Sequence, residues 1–264
     1  MENNSFLVFD NRLAGMLYDD SDHPNYPIRY YNVINGAGLT PHTTKSYFVY
    51  IYEGATAVAV GDRPHIPMVK GMYFTAKGDF CFHGDCFRAI VIEVIKDHGD
   101  YPNTNYRAFF SLGGPLEKKG RLKYIDGCSD SLLIPPVKLG DPCLNHLHFP
   151  PDINQTQHTH PTHRIGIVTS GSGKCITPFG NVDLTEGTIF IIKAWDGKTY
   201  KVGLDTPDMY PVGQHAFQTI CSSMDVVAFH PDSDFGPTDL NHPMINRTIV
   251  DGVSANALPD IQTK

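Results

Sequence analysis

Residues 157–171 read "QHTHPTHRIGIVTSG". Three histidines, His158, His160 and His163, fall within six residues, and Arg164 follows directly. His158 and His160 are two apart, so in an extended chain they share a face, with Cα atoms roughly 6.6 Å apart. Two imidazoles placed that way can converge on one ion at about 2.1 Å. The run behind them, "RIGIVTSG", is apolar, rich in β-branched residues and stopped by glycine, which is the pattern of a strand. The histidines thus stand at the entrance of a strand. A bland polar loop also fits H-x-H alone, so the reading as a metal site needs a third ligand from elsewhere in the chain.

The rest of the chain is consistent with a β protein. It has 264 residues, 41% hydrophobic and 19% charged, long enough for a sizeable core and not disordered by composition. Its 24 glycines and 20 prolines are spread throughout, which cuts helices short and favours strands joined by turns. The net charge is -7, and no basic run exceeds Lys118–Lys119, so a nucleic-acid footprint is not expected. No apolar run approaches ~18 residues, so no membrane span is expected, and "MENNSFLVFDNRLAG" lacks the look of a signal peptide. Six cysteines without a C-x-x-C pair suit reduced thiols in a cytoplasmic protein.

Strand signals fall in two sets. The first holds residues 47–54, 55–62, 71–80 and 87–95; the second holds 164–171, 174–177, 187–194, 199–203, 215–221 and 225–230. Laying Gly54 on Gly171 aligns "YFVYIYEGATAVAV" with "RIGIVTSGSGKCIT", and one residue of slippage adds a shared G-x-x-F-x-x-K. A repeat of about 116 residues is too long for a solenoid and suits two copies of one β domain. Residues 1–28 read as a polar N-terminal segment, 29–125 as the first domain, 126–145 as an extended connector, 146–232 as the second domain and 233–264 as a tail. Asp232, Asp234, Asp239, His242, Asn246 and Arg247 would let that tail close over a site as a lid.

The second half resembles the cupin superfamily. In the first cupin motif, H-x-H is followed after three or four residues by Glu and six residues later by Gly. Here the spacing from His160 reaches Arg164 and then Gly171, with Arg in place of Glu. "YPVGQHAFQTI" supplies the Pro211, Gly213 and His215 of a second motif, with Thr219 where Asn is usual. The resemblance implies an all-β fold, two cupin-type jelly-roll barrels in one chain, and a metal held by His158, His160 and His215. In the first half Pro41 and Thr43 align with His158 and His160, and the counterpart of His215 is either Cys81 or His83, so that barrel is expected to carry no metal motif. Pairing of two copies through their sheets is a further expectation of the resemblance.

Three neutral imidazoles leave the charge of a divalent ion uncompensated. An inward Arg164 ~6 Å away would add about 5 kcal/mol of repulsion at an effective dielectric of ~20, so the site would favour a small anionic substrate. Arg164 could instead pair with Asp232 or Asp234, or face solvent. His163 is read as a base or a mouth residue, with replacement of His160 as the rival; His146 and His148, a second H-x-H, read as packing or pocket residues. Phe190, Ile192, Phe217 and Trp195 are candidates for an apolar wall around the substrate. Three functions stay open: a three-histidine non-heme iron dioxygenase, a metal-dependent isomerase or lyase with His163 as base, and a non-catalytic small-molecule-binding bicupin. Fe(II) suits the first, and the same ligands also suit Zn, Mn, Ni or Cu.

Overall fold

The computed structural model describes residues 5–78, 80–95, 110–136, 141–202, 208–232, 249–250, 252–254 and 257. Its first half holds β1 (Phe6–Phe9), β2 (Gly15–Asp20), β3 (Ile28–Ile34), β4 (Ser46–Val60), β5 (Ile66–Val69), β6 (Tyr73–Lys77), β7 (Phe80–Val94) and β8 (Ser111–Gly113). Its second half holds β9 (Leu122–Lys123), β10 (Ser129–Ile134), β11 (Cys143–Phe149), β12 (Arg164–Ile176), β13 (Val182–Thr185), β14 (Ile189–Ile192), β15 (Thr199–Lys201), β16 (Met209–Pro211), β17 (Ala216–Gln218) and β18 (Met224–His230). A small hairpin, β19 (Ile249–Val250) and β20 (Val253–Ser254), follows. Among the described residues helical structure is limited to 3-10 turns, at Ile125–Gly127 and at Ala257, and no helix is long and apolar enough to cross a membrane.

Among the described residues β15-β16 and β19-β20 form two-stranded ribbons, and two large antiparallel sheets carry most of the strands. One runs β2-β3-β7-β4-β6-β8 with β5 on β4; the other runs β1-β14-β12-β18-β11-β10-β9 with β13 and β17 on β12. The long strands β4 and β12 curl each sheet into a barrel. Beyond its glycine, each leaves its first partner and pairs with a second set: β12 with β14 and then with β13 and β17, β4 with β6 and then with β5. Sequence reading breaks each of these into two strands at the glycine, but each is continuous. Gly54 and Gly171 both bend at φ 72, and a Cβ on either would lie 1.9 Å from a carbonyl oxygen, that of Cys86 or of Ser223. A glycine that lets backbones approach this closely bends a ladder without ending it. The matched bends support the alignment of Gly54 with Gly171.

Alternation places the cores. In β4, Tyr47, Val49 and Ile51 fill the first barrel, whereas Phe48, Tyr50 and Tyr52 point to a second cluster. In β14, Phe190 and Ile192 fill the second barrel, whereas Ile189 and Ile191 point to that same cluster. The shared cluster also takes Ile165, Ile167, Val227 and Phe229, so the two sheets are cemented face to face. Strands buried on both faces read as continuous apolar runs rather than as alternations, which is why "YFVYIY" and "IFII" look alike in sequence.

Two segments differ from expectation. Residues 1–28, read as a polar segment, contribute β1 to the second barrel and β2 to the first sheet. The four-residue "FLVF" is too short to show a period, and its strand character comes from Phe6 packing inside the distant barrel. Residues 126–145, read as a connector, contain β10 and the start of β11, paired with each other. Pro135 and Pro136 lie just after β10, so they end it without interrupting its ladder.

Candidate metal centre

His158 and His215 are brought together by backbone. Each donates its N–H to the other's carbonyl at 3.0 Å, an isolated antiparallel bridge that joins the segment before β12 to the segment before β17. The turn that delivers His215 needs glycine. Gly213 has φ +78, and a Cβ there would meet the Lys193 carbonyl oxygen at 2.0 Å. His160 completes the group, with ring centroids 5.0 Å from His158 and 5.2 Å from His215, and 4.4 Å between the other two. One nitrogen of each ring lies within 4.8 Å of the others, and among the described residues this is the one such cluster of three ligating side chains.

The rings are prepared as ligands. His158 Nδ1 donates to the Thr156 carbonyl at 2.7 Å, and His215 Nδ1 donates to the Gly213 carbonyl at 2.8 Å. A carbonyl only accepts, so each Nδ1 carries a hydrogen and Nε2 is the nitrogen left to serve as a ligand, as in metal-ligating histidines. Burial, then Arg164 and the neighbouring imidazoles, pushes His160 down to about 2. Burial and His158, opposed by the bond to Gly213, push His215 down to about 3. Both rings are therefore neutral at ordinary pH, the state that binds a cation. A shared ion needs the three nitrogens roughly 3.0–3.4 Å apart, and they lie within 4.8 Å of one another, so the donor set fits a divalent transition metal once the rings draw together.

The triad opens on the interior of the second barrel, which Phe190, Ile192 and Phe217 line as apolar wall together with Arg164 and His230. Free space there is ≈ 20 Å³, about one water molecule's worth. Arg164 opens β12 and points inward, opposite to Ile165 in the shared core. It is also paired: Nη1 donates to Asp232 Oδ1 at 3.0 Å and to the Thr162 hydroxyl, which itself donates to Asp232. The inward and Asp232-paired readings thus hold together. Arg164 Nε is buried without a hydrogen-bond partner. Burial and Arg164 hold the His230 ring far below its usual range.

Several expected site residues lie elsewhere. His163 does not line the cavity. Its Nδ1 accepts the Ala194 N–H at 2.6 Å, its Nε2 faces the Tyr18 hydroxyl at 3.2 Å and Asp20 at 3.4 Å, and burial lowers it to about 4. The parity that turns His158, His160 and Arg164 into the cavity turns the odd-numbered His163 away from it. Trp195 is 49% exposed and donates its indole N–H to Lys198, so it is no part of the wall. His146 and His148 both bond Asp225 Oδ1, at 3.0 and 2.8 Å, and Ser170 donates to its other oxygen at 2.7 Å, in a cleft between the halves. Asp234, Asp239, His242, Asn246 and Arg247 lie outside the described residues. Three polar cavity residues went unforeseen: His230, Tyr124 and Gln155. The alternation Val226, Ala228, His230 carried the signal for the first.

The first barrel has a different filling. Lys174 pairs with Gln218 as Ala57 pairs with His83, so continuing the register puts Phe80 opposite Val60, where His215 stands in the second half. The counterpart is therefore Phe80, not Cys81 or His83. Phe80 packs against Tyr47, Phe74 and Phe82 at 5.2–5.5 Å between ring centroids, in the apolar interior of that barrel.

No protein-family model matches the chain, and no curated protein matches its sequence. Solved structures do match. Ylba from E. coli aligns over 88% of this chain and 94% of its own, with 11% identity and a TM-score of 0.59. The cupin 2 conserved barrel domain protein from Leptotrichia buccalis aligns over 87% and 90%, with 11% identity and a TM-score of 0.54. The chain has the cupin fold. A variant of salicylate 1,2-dioxygenase from Pseudoaminobacter salicylatoxidans also aligns, over 87% of this chain and 85% of its own, with 12% identity and a TM-score of 0.54. At these identities the likeness is one of fold.

Proposed function

We propose that the chain binds one divalent transition metal, Fe(II) foremost, through His158, His160 and His215, and acts as a dioxygenase on a small anionic organic molecule. The observation that carries this is the triad itself: three imidazoles with their nitrogens brought together, two of them with Nδ1 bound to a backbone carbonyl. The bound metal supplies a Lewis-acidic, redox-capable centre with open coordination positions. Arg164 supplies the anion preference. Asp232 and Thr162 hold its Nη1, which leaves the buried, unpartnered Nε–H to meet a carboxylate or enolate oxygen. Phe190, Ile192 and Phe217 exclude water from the reacting end. The ≈ 20 Å³ of free space holds about one water, so a substrate's charged end enters only as the cavity side chains move apart. The solved dioxygenase of the same fold supports the reaction class as an analogy only.

The isomerase or lyase alternative needs a base beside the metal. His163, the residue expected to serve, faces Tyr18 and Asp20 instead. His230 does line the cavity, but a base works best with a pKa near the working pH, and its pKa is pushed far below that. Reconstitution with Fe(II) without oxygen, followed by oxygen-uptake measurements with a panel of small carboxylates that includes salicylate, tests the proposal. Iron-dependent uptake that disappears in His158→Ala is the expected result. Turnover of a substrate by the Zn-, Mn- or Ni-loaded protein without oxygen would move the function to the isomerase or lyase class.

A further inference from the structure

We infer that Ser5, 208 residues before the turn it grips, is a positioning residue for the metal centre. The inference rests on the proposed binding of metal by His158, His160 and His215. Ser5 is fully buried, and its Oγ accepts the Gly213 N–H at 2.9 Å. Gly213 in turn accepts the Nδ1–H of His215 on its carbonyl at 2.8 Å. One peptide unit therefore separates the serine hydroxyl from the group that fixes the tautomer and aim of a ligand. The serine backbone holds the other side of the same turn. Its carbonyl accepts the Lys193 N–H at 2.9 Å, and the Lys193 carbonyl is the atom that allows only glycine at 213.

The neighbouring residue extends the grip to the cavity wall. Phe6 stacks on Phe190 at 4.9 Å and meets Phe217 edge-on at 6.4 Å, both cavity residues. β1 fixes this geometry by pairing with β14, Phe6 opposite Ile192. A ligand ring held by its second nitrogen depends on whatever holds the acceptor, and loss of such a support costs 10–100-fold in metal affinity. With alanine at position 5 the Gly213 N–H loses its partner in a buried place, so the turn shifts to recover one and takes the His215 acceptor with it.

Co(II) titration of the full chain against a competing chelator, read by affinity and by visible absorption, tests this. Wild type is expected to bind one Co(II). Ser5→Ala is expected to bind at least about tenfold more weakly, with a shifted absorption band, while its metal-free form melts within a few degrees of wild type. Ser5→Thr, which keeps the hydroxyl, is expected to stay within about threefold of wild type. Ser5→Cys fills the same space with a poorer acceptor; it is expected to bind more weakly than wild type, and it carries the test if alanine prevents folding. Wild-type affinity and spectrum in Ser5→Ala, or in Ser5→Cys where alanine does not fold, would overturn the inference. So would an equal loss in Ser5→Thr, because packing and not the hydroxyl would then be responsible. A wild-type protein that takes no Co(II) removes the metal reading itself and this inference with it, whereas a metal-binding wild type with an unaltered Ser5→Ala removes only the role of Ser5.

Discussion

Removing Asp232 should damage metal binding although it touches none of the three ligands. A divalent charge ~6 Å from the Arg164 guanidinium is repelled by about 5 kcal/mol at an effective dielectric of ~20. A carboxylate ~7 Å away returns nearly the same in attraction. Asp232, 3.0 Å from Arg164 Nη1, therefore cancels most of a repulsion that the arginine alone would impose. Asp232→Asn uncovers it: metal affinity should fall by at least tenfold, while affinity for formate rises because the guanidinium is released. Arg164→Met has the opposite sign, with tighter metal and formate binding abolished, and it destabilises the fold by about 3–5 kcal/mol through the stranded carboxylate. The double variant, neutral at both positions, should return close to wild type in stability and in metal affinity. Metal and formate titrations of the four proteins, with urea unfolding of each, complete the cycle. An unaltered metal affinity in Asp232→Asn would refute the reasoning, as would additive effects in the double variant.

The matched bends and the buried carboxylate give two more tests. Gly171→Ala and Gly54→Ala each force a Cβ to within 1.9 Å of a carbonyl oxygen at φ 72, so each should cost at least about 3 kcal/mol in urea unfolding, and similar costs would mark the bends as equivalent; a loss under about 1 kcal/mol would show that β12 or β4 can relax. Burial raises Asp130 from 3.8 to about 6, against the opposing bond from Asn145. A raised acid pKa means that the folded state holds the proton more tightly than the unfolded one, so stability is highest below pH 3.8 and is lost as pH rises to about 6. The gap corresponds to about 3 kcal/mol, so Asp130→Asn should raise the melting temperature by several degrees at pH 8 and hardly at all at pH 4. A gain that is the same at both values would contradict this.

The three-histidine cluster was legible because its signals are local. His158 and His160 announce themselves by spacing, and His215 by the resemblance of "YPVGQH" to the second cupin motif. Arg164 was legible in position and Asp232 as one of its possible acids, but the sequence set the inward and the paired readings against each other, whereas the structure joins them. His163 misled because its neighbours Tyr18 and Asp20 come from the N-terminal segment, and no feature of "HPTHR" reports them. β1 was hidden for the same reason: four residues pair with a strand some 180 residues later, and non-local pairing leaves little local pattern. The bends at Gly54 and Gly171 were visible as glycines but read as strand ends, since sequence does not show how closely another backbone passes.

Metal content of the protein purified without oxygen tests the central claim most directly. Wild type should hold a transition metal at close to one per chain by elemental analysis, and the His158→Ala/His160→Ala double variant should hold almost none while melting as a folded protein. Near-unit metal in that double variant, or a folded wild type that takes up no Fe(II), Zn(II), Mn(II) or Ni(II), would contradict the assignment of His158, His160 and His215.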